Sequence, residues 1–231
     1  MKWHTASWYF LFTIFTAQAS AATILVNPNP AVSTSSIVDT ITGADMAGLI
    51  VRATYATPGS PTTVNMIWAQ TGATSGAASS AAVTVSLSGD TSAAQAWRYA
   101  SIFLSPLTTL EFDGTAAGIY FDRASPNPGT SGSGPGSDIA FGPLSPVGID
   151  SSFVVTYSSA VSLGANPAQN DLYARLRIDF GTSLTPQDFN FTQDTDRNPI
   201  PEPASALMVL CGLALGSCAP LKNRSLAVAA R

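Results

Sequence analysis

The sequence predicts an all-β fold, an antiparallel β-sandwich of jelly-roll or immunoglobulin-like type, followed by a C-terminal transmembrane helix. Three observations predict it. Apolar and polar residues alternate with a period of two in short segments between residues 46 and 180, the pattern of half-buried strands. No long stretch before the tail repeats with the helical period. Only 10% of residues are charged, and Ser, Thr, Ala and Gly are abundant. That composition suits an extracellular β module with neutral polar faces better than a charge-rich disordered chain.

Residues 1–21 read as a secretory signal peptide. Lys2 and His4 precede an apolar run at 8–17, and Ala19-Ser20-Ala21 supplies the small-x-small pattern, with the cut between Ala21 and Ala22. The run is too short to span a bilayer.

The domain is expected over 22–186. Strand candidates are 49–55, 62–70, 83–88, 97–104, 108–113, 117–122 and 152–158, with shorter ones near Ile24 and Ile37. The clearest is 172–180, which sends Leu172, Ala174, Leu176, Ile178 and Phe180 inward and Tyr173, Arg175, Arg177 and Asp179 outward. About eight or nine short strands separated by turns indicate a sandwich. Residues 29–36 and 57–61 read as loops. The longest irregular stretch, 124–146, is rich in Gly, Pro and Ser. Residues 187–199 read as a linker.

Missing residue types narrow the chemistry. Between residues 22 and 200 there is no Lys, His or Cys. That excludes Ser-His-Asp and Cys-His centres, His-ligated zinc and lysine Schiff bases. No disulfide can form in this region, so the core must hold it together. Six arginines against thirteen acids leave a net charge of −7, which repels phosphate backbones and argues against nucleic-acid binding. No catalytic residue and no cofactor is assigned, and the protein is expected not to be an enzyme.

Carboxylates and aromatics supply the remaining candidates. Glu111 and Asp113 lie two residues apart on one strand face, about 7 Å along the strand, compatible with a glycosidase pair. Asp194-Thr195-Asp196-Arg197-Asn198 has the alternating oxygen donors that open a calcium loop, without the loop glycine or a distal Glu. Asp45, Asp122 or Asp138, on loops at one end of a sandwich, could hold calcium. Trp68 and Trp97, with Tyr99 and Tyr157, could stack on sugar rings, the arrangement of a carbohydrate-binding module for extracellular polysaccharide.

The tail begins at Pro201-Glu202-Pro203. An uncharged apolar run follows at 204–219, extended to 204–221 by Leu221 and the stem of Lys222. About 16 helical residues span roughly 24 Å, a little short of a ~30 Å hydrocarbon core. Lys222, Arg224 and Arg231 close the chain and by the positive-inside rule hold the C-terminus in the cytoplasm. This stretch, 200–231, resembles the PEP-CTERM sorting signal, in which a Pro-Glu-Pro motif precedes a short hydrophobic helix and a basic cluster. The resemblance implies recognition by an exosortase, a membrane transpeptidase-like protease, which cuts near Pro201, Glu202 and Pro203. It implies export across the inner membrane, transient anchoring, and delivery to the cell surface or matrix. Here Pro220 interrupts the basic end and 226–230 is apolar again, a departure from the family's compact cluster. The pieces 43–48, 88–91 with Trp97, and 121–123 before Gly129-Thr130 look like blocks of exosortase-sorted surface proteins, a group without an established activity.

Overall fold

The computed structural model describes residues 23–27, 32–91, 97–124, 130, 132–142, 153–180 and 188–199. The expected signal peptide with Ala21 and Ala22 lies outside them, as does the tail with Pro201, Glu202 and Pro203. Among the described residues no helix is long and apolar enough to cross a membrane.

The two-residue alternation becomes strands. β1 (Thr23–Asn27) and β2 (Val32–Thr34) come first. A 3-10 turn at Gly43–Met46 follows, in which the Asp45 carboxylate accepts from Thr42 N at 2.8 Å and Thr42 Oγ1 at 2.7 Å. Next are β3 (Ile50–Tyr55), β4 (Thr62–Gln70), β5 (Ser75–Ser79), β6 (Val83–Ser88) and β7 (Trp97–Ser101). Then come β8 (Leu107–Asp113), β9 (Ile119–Asp122), β10 (Ala140–Phe141), β11 (Val154–Leu163) and β12 (Leu172–Asp179). β13 (Asp188–Thr192) and β14 (Asp194–Arg197) complete the set.

All are hydrogen-bonded into one curled, mixed sheet. Its order is β1-β11-β12-β8-β3-β4-β5-β6-β7-β13-β10, with β2 beside β11 and β9 between β12 and β14. β4 makes the bend. Its first part, to Ile67, pairs with β3, and its last part, from Trp68, pairs with β5. The curl brings β7 and β13 over β8, so Trp97 meets Phe112 with ring centroids 5.4 Å apart and Phe112 meets Phe191 at 5.9 Å. Aromatic pairs at such distances add to the stabilisation from apolar burial.

Three expectations need correction. The sheet is not purely antiparallel, because β1 and β2 both run parallel to β11. β11 is ten residues long, enough for two short N-terminal strands to lie along one edge, and residues 32–34 are strand where a loop was expected. The presumed linker is the second. Phe189 and Phe191 are buried while Asp188 and Asn190 face out, so β13 completes the core between β7 and β10, and β14 adds to β9. The domain therefore continues past residue 186 to Asn198, whose N–H donates to Gly118 O at 2.8 Å. Third, Tyr173 is fully buried instead of facing out: it packs in the main core cluster, while Leu172 and Ala174 belong to a second, smaller one.

Candidate functional site

The sugar-stacking expectation fails on burial. Trp68 and Trp97 are 1% and 0% exposed, and Tyr99 and Tyr157 are buried with them. Each indole N–H is committed, Trp68 to Gly43 O at 2.7 Å and Trp97 to Gln193 O at 3.1 Å. These side chains are core, because the curl covers the strand face on which they lie.

The Glu111 and Asp113 pair also departs from its expected chemistry. Cross-strand register places Arg52 and Arg177 on either side of Glu111, and Arg175 beside Asp113. Arg52 forms an ion pair with Glu111, and Arg175 Nε lies 3.2 Å from Asp113 Oδ2. Burial pushes the Asp113 carboxyl up, but hydrogen bonds from Thr115 and the Arg175 charge outweigh it and hold the pKa below the ordinary 3.8. A general acid needs the opposite shift, so this pair belongs to a charge ladder on the outer sheet face.

A different group of acids is buried. In the antiparallel β9–β14 ladder Asp194 stands opposite Asp122, and Asp196 opposite Tyr120. Residues in register share a face, as do residues two apart on a strand, so Asp122, Asp194 and Asp196 face the same way. Asp171 leads into β12 beside Asp122, since Leu172 is in register with Asp122. Residues 133–136, within the stretch expected as an irregular loop, close over these acids. A Cβ on Gly136 would overlap the Asp122 carboxyl, and one on Gly134 would lie 3.1 Å from Asp39 Oδ2.

Hydrogen bonding is uneven. Asp171 is fully engaged, accepting from Thr130 N at 2.5 Å, Thr130 Oγ1 and Leu172 N at 2.9 Å. Among the described residues, the Asp122 carboxylate accepts from Ser133 Oγ alone, at 3.3 Å on Oδ2. Its Oδ1, together with Asp196 Oδ2, Thr195 Oγ1 and Ser137 Oγ, is buried without a hydrogen-bond partner. Burial, then repulsion from Asp196, Asp194 and Asp171, pushes the Asp122 pKa up to about 9. Burial, then Asp194, Asp39 and Asp171, pushes Asp196 to about 8. Asp194 is raised to about 6, by burial and then by Asp90 and Asp39 against a backbone hydrogen bond at Thr195.

A neutral network backs the cluster. Gln193, fully buried, donates from Nε2 to Asp122 O at 2.8 Å and Asp194 O at 2.9 Å, and its Oε1 accepts from Tyr157 OH at 2.5 Å. Arg123 lies over the Tyr157 ring at 5.5 Å and pairs with Asp138 at 2.9 Å. Arg197 Nη1 reaches Asp45 at 3.4 Å.

Of the acids named from sequence for calcium, the fold brings Asp122, Asp194 and Asp196 together. Asp45 caps a turn, and Asp138 is an arginine partner. The stretch around Asp194 is a strand, neither the expected linker nor the candidate calcium loop, and the alternation of the strand is what aligns Asp194 with Asp196. Asp171 and Gln193 were missed, since nothing in their local sequence marks them. Among the described residues no three His, Cys, Asp or Glu side chains form a ready metal-ligating group. No family model, curated protein or solved structure matches the chain.

Proposed function

We propose that this chain is an exported bacterial cell-surface or extracellular-matrix protein of structural or adhesive type, sorted by an exosortase-like enzyme through its C-terminal signal. The observation that supports it is where the fold ends. β14 is tied down as far as Asn198, and the chain divides into units 1–198 and 199–231. Pro201-Glu202-Pro203 begins three residues beyond Asn198. Cleavage there would release the domain with every described strand and core residue intact. The absence of Lys, His and Cys between residues 22 and 200 supports a non-catalytic role. So does the arginine pairing of Glu111 and Asp113, which leaves the glycosidase reading without its acid. The carbohydrate-binding alternative no longer has Trp68 and Trp97 as its face.

Intact mass from cells with and without an exosortase tests the reading. A chain beginning at Ala22 and ending near Pro201 to Pro203 in the first, with the tail retained in the second, is the expected result. A tail retained in both would overturn the sorting assignment and leave an ordinary anchor.

A further inference from the structure

The β9–β14 face gathers more buried acids than the described basic residues pair. Asp122 and Asp196 are 2% and 1% exposed, and each keeps one oxygen without a hydrogen-bond partner. Asp194 is in register with Asp122 and adds a third carboxylate to the same face. The nearby arginines are engaged by other acids, Arg123 by Asp138 and Arg197 by Asp45. Like charges directly opposite one another on paired strands oppose pairing, and buried charges persist when they are paired or coordinate a metal.

We propose that this face binds a divalent cation of the calcium class, ligated by the free oxygens of Asp122 and Asp196, with Asp194 completing the negative set. Every donor available there is oxygen, which selects a hard cation over zinc or copper. Calcium takes six to eight oxygens in flexible geometry, including carbonyls, hydroxyls and water. It therefore does not need three converging acidic side chains, which the described residues lack. Two carboxylates match the charge of one dication, and the cation takes up the acceptors that lack donors. The site ties β14, the last strand before the tail, to β9. The proposal is independent of the sorting assignment.

Full-length protein, dialysed against a chelator, is titrated with calcium chloride at constant pH and ionic strength and melted at each concentration. At about a hundred times Kd, calcium raises Tm by about 5–10 °C. Asp122→Asn and Asp196→Asn, close to isosteric with the parent, lose that shift. Asp179→Asn, at the far end of β12 on the outer face, keeps it. Calorimetry on the parent reads the same site without any variant and should give a saturable heat that excess chelator abolishes. A parent whose Tm is unmoved by millimolar calcium, and which gives no such heat, overturns the proposal. So does a calcium shift that survives in both Asn variants.

Discussion

Asp122 on β9 and Asp194 on β14 stand opposite each other in an antiparallel ladder, with one oxygen of Asp122 buried and unpaired. Two acids in register are an unfavourable cross-strand pair. The surrounding architecture nonetheless holds them there: Gln193 bonds the main chain of both, and Gly136 leaves no room for a side chain beside the Asp122 carboxyl.

The closeness of that approach is measurable. A methyl group at Gly136 would overlap a carboxyl group held between strands. Gly136→Ala should therefore cost about 1–3 kcal/mol, the usual scale of overpacking. At Gly72 the added carbon meets only Ser75, at 3.6 Å, and Gly72→Ala should stay within about 0.5 kcal/mol. Urea denaturation of both variants checks the contrast. Equal stabilities would show that residues 132–139 do not pack on β9.

Trp97 is the centre of the aromatic core. Its ring lies 5.4 Å from Trp68, 5.4 Å from Phe112 and 5.5 Å from Phe191. Trp97→Ala should cost about 3–5 kcal/mol. Trp97→Phe keeps a ring but removes the donor to Gln193 O, at about 1–3 kcal/mol. Equilibrium unfolding followed by circular dichroism reads both. A stable Trp97→Ala protein would place this side chain outside the core.

Asp113 predicts a pH dependence. Its folded pKa is depressed below the unfolded 3.8, because the Thr115 hydrogen bonds and Arg175 outweigh burial. Such a group stabilises the fold above the unfolded pKa, and the contribution is lost as pH falls through the folded pKa. Asp113→Asn should thus be less stable than the parent at pH 7, and the gap should close below about pH 4. Denaturant midpoints across that range decide it. A gap that does not narrow as pH falls below about 4 would assign the effect to packing.

By itself the sequence determined that the domain is all-β and where most strands lie, whereas the single curled mixed sheet in place of the expected antiparallel sandwich was decided by tertiary structure. Alternation such as Leu172, Ala174, Leu176, Ile178 and Phe180 is local information, and a pleated chain can bury that face whatever it pairs with. The missing Lys, His and Cys, and the Pro-Glu-Pro tail, are equally local. Tertiary structure decided which residues meet. Whether Trp97 lies in the core or on a surface depends on the bend at β4, about thirty residues upstream. Whether 188–197 is linker or strand depends on β7 and β9 offering edges to it. The acidic cluster is the clearest case. Asp122, Asp171 and Asp194 are far apart in sequence and unremarkable singly, and only the pairing of β9 with both β12 and β14 brings them together. Period and composition are properties of a segment. Register and burial are properties of the partners that segment finds.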